Sequence, residues 1–193
     1  MRAYGLDPSL ANFAIVSAKV DKDVLTDVRF VQISSQLVKD GNPKYIDNFT
    51  RYVNLNRELI AEGLFDLLGG PADHIYAEIA TGSKDTQAAK ALAVSTMTSA
   101  YLVAMCNCTY DLVTPRNMKE YIGKSSTATK KEIIEIVSGR FPDLPWFRKG
   151  GKVLLKNEHL ADALSVLLWG LEKDGIEVQK AISNYSSPEW VRC

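Results

Sequence analysis

Apolar and polar positions alternate at the start of the chain, then fall into helical spacing. Residues 2–6 read as a short strand, stopped by Asp7-Pro8-Ser9. Residues 12–20 read as a second strand, with Phe13 and Ile15 on one face and Ala14, Val16 and Val20 on the other. The turn over 7–11 would close these two into a hairpin. Residues 24–34 supply a third strand, in which Val28, Phe30 and Gln32 alternate against Arg29, Val31 and Ile33. The period then changes. Ile46, Phe49, Val53, Ile60, Leu64, Leu67 and Leu68 follow three- to four-residue steps and predict one long helix over 44–68, ended by Gly69-Gly70-Pro71.

His74-Ile75-Tyr76-Ala77-Glu78 is a brief strand, and a second long helix is predicted over 85–105. Residues 109–114 form another strand, stopped by Pro115. Helices follow over 115–122 and 127–139, then a Pro- and Gly-punctuated irregular stretch over 141–156. A last helix spans 157–172, with Leu160, Ala163, Leu164, Leu167, Leu168 and Leu171 on its apolar face. The order predicts an α/β domain of three layers around a mixed sheet of about five strands. Residues 1–173 form that domain, and 174–193 are read as a C-terminal tail without assigned structure.

Composition narrows the class. The chain has 193 residues, 23 Lys+Arg and 23 Asp+Glu, and 46% apolar or aromatic residues. Balanced charge with aromatics excludes disorder throughout, and zero net charge argues against a protein that coats nucleic acid through an overall positive field. Cys106, Cys108 and Cys193 make neither a disulfide framework nor a zinc pattern, and read as free thiols. The apolar stretch 88–105 is interrupted by Lys90, Ser95, Thr96, Thr98 and Ser99, which makes it polar for a membrane span. No signal or transit pattern is visible. The expectation is a soluble intracellular protein that does not engage a membrane.

The candidate chemistry lies in four residues from three distant segments. Asp7 ends the first strand and Glu78 a later one, while His159 and Asp162 stand on one face of the last helix. Strand ends on one edge of an open sheet converge on a crevice that a helix terminus can close. Magnesium prefers oxygen ligands, and two such ions about 4 Å apart can clamp the attacking and leaving oxygens of phosphodiester hydrolysis. Singly, each residue has an ordinary reading: a turn-forming Asp, a solvated Glu, a surface His–Asp pair. Their joint arrangement is what points to metal-assisted chemistry.

Five segments in this order resemble a known family. They are Gly5-Leu6-Asp7-Pro8-Ser9, Ile75-Tyr76-Ala77-Glu78, the helix over 89–105, the basic pair Thr114-Pro115-Arg116-Asn117-Met118-Lys119 with 123–131, and the terminal Glu158-His159-Leu160-Ala161-Asp162 stretch. Together they resemble the RuvC-type Holliday junction resolvases of the ribonuclease H-like fold, over most of residues 2–170. The resemblance implies a ribonuclease H-like three-layer α/β/α domain with a mixed five-stranded sheet. It implies a homodimer that binds branched DNA, especially four-way junctions, with each subunit cutting one of two opposing strands. The cofactor implied is Mg2+, with Mn2+ as a substitute, at two ions per subunit. Carried over by position, Asp7, Glu78, His159 and Asp162 become the metal-binding catalytic set. The sequence departs from the family at residues 79–83, where bacterial members often carry an aromatic that pries bases apart, and in the long stretch 141–156.

Charge by region changes the meaning of the zero total. Residues 114–156 hold 10 Lys/Arg against 4 Asp/Glu. The rest of the chain is acidic. The candidate phosphate contacts are Arg116, Lys119, Lys124 and Lys130, then Arg148, Lys149 and Lys152, with a solvated helix face as the plain alternative for each. Trp146-Phe147 suits either base stacking or cover for the core edge. The helix over 85–105 is apolar on more than one face, which suits a subunit interface or full burial in a monomer. Rival functions are a related nuclease cutting flaps, forks or RNA–DNA hybrids, a non-catalytic binder of DNA structure, and an actin-like ATPase.

Overall fold

The computed structural model describes residues 1–34, 48–60, 63–79, 86–185 and 188–192. Strands β1 (Arg2–Asp7), β2 (Asn12–Asp21) and β3 (Val24–Ser34) form an antiparallel meander. β4 (His74–Glu78) joins β1 in parallel on the other side, and β5 (Thr109–Val113) joins β4 in parallel. The order β5-β4-β1-β2-β3 is the mixed five-stranded sheet expected from the pattern.

The sheet goes further than expected. The segment read as a tail adds β8 (Lys180–Ala181) and β9 (Glu189–Arg192), both parallel to β3, giving seven strands in all among the described residues. These strands are too short for a period to show in the sequence. The irregular stretch over 141–156 contains a small hairpin, β6 (Arg148–Lys149) with β7 (Lys152–Val153), turned by Gly150-Gly151.

Among the described residues, three α-helices cover each face. On one side lie α1 (Asn48–Ile60), α2 (Leu64–Leu68) and α3 (Thr86–Cys106). The predicted helix over 44–68 is therefore two helices, broken at Gly63, whose φ of 112° lies outside helical space. Residues 44–47, 61–62 and 85 of the predicted helices lie outside the described residues. Leu55, Leu59, Leu68 and Leu102 pack with Tyr4, Leu6, Phe13 and Ile15 from the sheet. On the other side lie α4 (Pro115–Gly123), α5 (Lys130–Arg140) and α6 (Glu158–Lys173). There Leu160, Leu164, Leu167 and Leu171 meet Ala14, Val16, Phe30 and Tyr76.

Two glycines set how closely α6 lies on the sheet. A Cβ on Gly5 would stand 2.1 Å from the Ala163 carbonyl oxygen, and one on Gly170 would stand 2.0 Å from the Tyr76 ring. Bare backbone at these points lets α6 rest directly on β1 and β4. The same close approach brings the first turn of α6 over the end of β1.

Candidate active site

β1 and β4 are parallel neighbours, with Leu6 opposite Ala77, so Asp7 and Glu78 leave the sheet side by side. α6 starts above them. Its start is held by Asn157, which is fully buried. The Asn157 amide accepts from the Phe147 N–H at 2.9 Å and donates to the Phe147 and Leu154 carbonyls at 2.9 and 2.7 Å. This clamp ties the 141–156 stretch to the helix start. The sequence offered only a polar residue ahead of an apolar helix as its signal.

The structure brings the three expected acids and the imidazole together. The His159 Nδ1–H donates to Asp7 Oδ2 at 2.7 Å, across 152 positions of chain. His159 Nε2 stands 3.3 Å from Glu158 Oε1. Asp7 is buried. Glu78 is pushed up to about 8, first by burial and then by the Asp7 and Asp162 carboxylates, with Lys119 and Lys130 opposing. Asp162 is raised to about 7 by burial and by Asp7, against Lys130 and His159. Burial disfavours the His159 imidazolium, but the hydrogen bond and charge of Asp7 outweigh it and raise its pKa.

Three carboxylates with one imidazole, crowded enough to keep protons, fit a hard divalent cation. The cation would replace the protons that relieve their repulsion. No three of the quartet have ligand atoms all within 4.8 Å of one another; among the described residues only His74, Asp111 and Asp174 do. Two-ion sites spread their ligands over a pair of ions about 4 Å apart, so a looser set is compatible with that chemistry.

The His74 group lies at the opposite end of β4 from Glu78 and was not foreseen. It can hold a metal ion by spacing, but charge there is already compensated. His74 Nε2 is 3.3 Å from Asp111 Oδ2, Lys173 pairs with Asp111, and the Tyr76 hydroxyl donates to Asp174. The β4–β5 register creates this group by setting Tyr76 opposite Asp111, two positions beyond His74 and Thr109 and so on the same face.

The basic candidates divide. The charges of Lys119 and Lys130 act on Glu78, and that of Lys130 on Asp162 and His159 as well. Lys130 opens α5, behind a capping box in which Thr129 and Glu132 exchange hydrogen bonds. The others stand apart. Arg116 points outward and pairs with Glu120. Lys124 lies over the Tyr121 ring and lines a cavity with Arg140, Leu168 and Glu172, about two to three turns along α6 from Asp162. Arg148 donates to the Pro142 and Gly151 carbonyls, and Lys149 faces Lys152 across the small hairpin. Trp146 belongs to the core: it is buried, its ring is edge-on to Phe30 at 4.9 Å, and its Nε1–H donates to the Phe141 carbonyl. Of residues 79–83, only Ile79 lies among the described residues.

The site makes a pH prediction for metal-free protein. Glu78 and Asp162 keep protons that the unfolded chain gives up near pH 4. The folded state therefore binds more protons between about pH 4 and 8, and stability falls as pH rises through that window. His159 acts with the same sign, since its raised pKa contributes stability that is present at low pH and lost as pH climbs. Unfolding free energy in EDTA is expected to fall by about 2 kcal/mol or more between pH 5.5 and 8.5. Denaturant titration reads this directly, and a flat profile would mean that the acids do not share one buried site.

No family model and no curated protein sequence matches the chain. Solved structures do. The chain is similar to Thermus thermophilus RuvC over 91% of its own length and 98% of that chain, at 16% identity and a TM-score of 0.57. It is similar to T. thermophilus RuvC in complex with a Holliday junction substrate over 90% and 96%, at 13% identity and a TM-score of 0.60. The fold is RuvC-like, of the ribonuclease H-like fold class.

Proposed function

We propose that this chain, on its RuvC-like fold, is a divalent-metal-dependent endonuclease that resolves four-way DNA junctions by paired strand incisions. One observation carries the reading: Asp7, Glu78, His159 and Asp162, from β1, β4 and α6, meet at the carboxyl end of the parallel strands. The Asp7–His159 hydrogen bond and the raised Glu78 and Asp162 carboxyls mark that meeting. A solved structure on the same fold holds a Holliday junction substrate, which supports branched DNA as the ligand.

Asp7, Glu78 and Asp162 would hold Mg2+ or Mn2+ through carboxylate oxygens, with His159 as a further ligand or as the group that orients water. When bound, two ions supply Lewis-acid stabilisation of the phosphate and an activated nucleophile. The chain's own residues do the rest. Asp7 fixes the His159 ring through Nδ1. α6, seated on Gly5, holds His159 and Asp162 at fixed height above the strand ends. Lys130 and Lys119 add positive charge beside the acids, where a phosphodiester approaches.

Paired incision needs two active sites, and α3 offers a surface for a second copy. Met97 is 60% exposed on this helix and Tyr101 lies half-open beside it. Tyr110 and Leu112 of β5, the edge strand among the described residues, are exposed as well. A cavity of about 240 Å3 runs between α3 and these strands, lined by Ala100, Val103, Tyr110 and Leu112 and reaching Glu78. Apolar exposure on this scale suits burial against a partner. Met97→Asp is expected to convert a dimer to a monomer in sedimentation velocity, and to turn paired cuts into isolated nicks.

The substrate class is tested by a panel of four-way junction, flap, fork, RNA–DNA hybrid and linear duplex in Mg2+. The expected result is cleavage of the four-way junction at least about 10-fold faster than of any other member, on the scale of shape-specific over non-specific binding. Preference for flaps, forks or hybrids would shift the assignment to another nuclease on the same fold.

A further inference from the structure

We infer that Glu158 is a positioning residue for Lys130, holding its ammonium over the acid cluster where a DNA phosphate arrives. The inference rests on the nuclease reading and deepens it. Lys130 is the first residue of α5, and Lys131 follows it. Cations there face the positive end of the helix dipole, so helix energetics do not account for their placement. Glu158 is the first residue of α6, where a carboxylate is favoured. Its Oε2 accepts from Lys130 Nζ at 3.0 Å, joining the two helix starts across 28 positions. Its Oε1 lies 3.3 Å from His159 Nε2. One carboxylate thus touches both the cation and the imidazole of the site.

The pair contributes little to stability. Lys130 is 60% and Glu158 35% exposed, and water screens pairs this open. Placement is its effect. An untethered lysine samples many rotamers, whereas this one is kept where Glu78, Asp162 and His159 all sense its charge. Loss of such placement costs rate more than affinity.

The test is a double-mutant cycle of Glu158→Gln, Lys130→Met and the double variant on a four-way junction in Mg2+. A competitive acylation measurement of Lys130 in the free protein accompanies it. Glu158→Gln is expected to lower kcat about 10-fold with KM changed by less than about twofold. Lys130→Met lowers kcat further, and the double variant is no worse than Lys130→Met alone. Acylation of Lys130 rises in Glu158→Gln, while Lys131, paired with Glu135, keeps its rate. Additive kinetic effects, or unchanged Lys130 labelling, would overturn the inference while leaving the nuclease reading intact. If wild-type protein cuts no branched DNA although Lys130 is still unmasked, the nuclease reading fails, and the positioning role falls with it.

Discussion

Asp7→Asn is expected to abolish junction cutting while making the metal-free protein more stable. The first half follows from the site. Asp7 is hydrogen-bonded to His159 and its charge acts on both Glu78 and Asp162, so in the proposed site it would be the central ligand. Outer-shell partners of metal ligands are worth about 10- to 100-fold, and a central ligand more, so cleavage should fall by at least about 100-fold. The second half follows from charge. Asp7 raises both Glu78 and Asp162. Asparagine keeps the shape, and its carbonyl oxygen can still accept from His159 Nδ1–H, but the repulsion is gone. The melting temperature in EDTA at pH 8 should rise, and junction binding should persist. Cutting at the wild-type rate, or a lower melting temperature at pH 8, would contradict the assignment of Asp7 to a shared acid cluster.

Gly5→Ala should destabilise the fold more than any surface substitution. Its Cβ would meet the Ala163 carbonyl oxygen at 2.1 Å and Leu167 Cβ at 2.7 Å. The first contact is backbone, so no rotamer change relieves it, and α6 must lift from β1. Overpacking of this kind costs about 3 kcal/mol or more, and here it would also separate His159 from Asp7. The outcome is loss of soluble folded protein, or a folded variant with a much lower denaturation midpoint and no cutting. Gly139→Ala is the control. Gly139 lies within α5 with open space around it, so alanine there should be neutral or stabilising by up to about 1 kcal/mol. Equal midpoints for Gly5→Ala and wild type would refute the close approach of α6 to β1.

Much of this architecture was legible in the residues. Alternation marked β1, β2 and β3, because each is long enough for a period of two to show. Apolar spacing marked α6, because ten of its sixteen residues are buried. Strand-end acids, once placed on parallel neighbours, could only leave the sheet together. What stayed hidden depended on geometry that periodicity does not carry. The break at Gly63 was invisible because apolar residues keep helical spacing across it. β8 and β9 pair with β3 through backbone, and at two and four residues they are too short to show alternation. Trp146 beside Phe147, Arg148 and Lys149 looked as suited to base stacking as to the core, and the buried edge of Phe30 decided between them. The clamp by Asn157 reaches back only ten positions, but across an irregular stretch without a period, and the Lys130–Glu158 contact spans 28, so neither leaves a periodic signature.

In the proposed function, one crevice at the strand ends, present once in each of two subunits, cuts a DNA junction. Its most direct test is a synthetic mobile four-way junction incubated with wild-type protein in Mg2+, with cut sites mapped on all four strands. The expected result is metal-dependent nicks at symmetry-related positions in two opposing strands, with the other two intact. Scattered cuts on all four strands, cuts made equally in EDTA, or an untouched junction would contradict it.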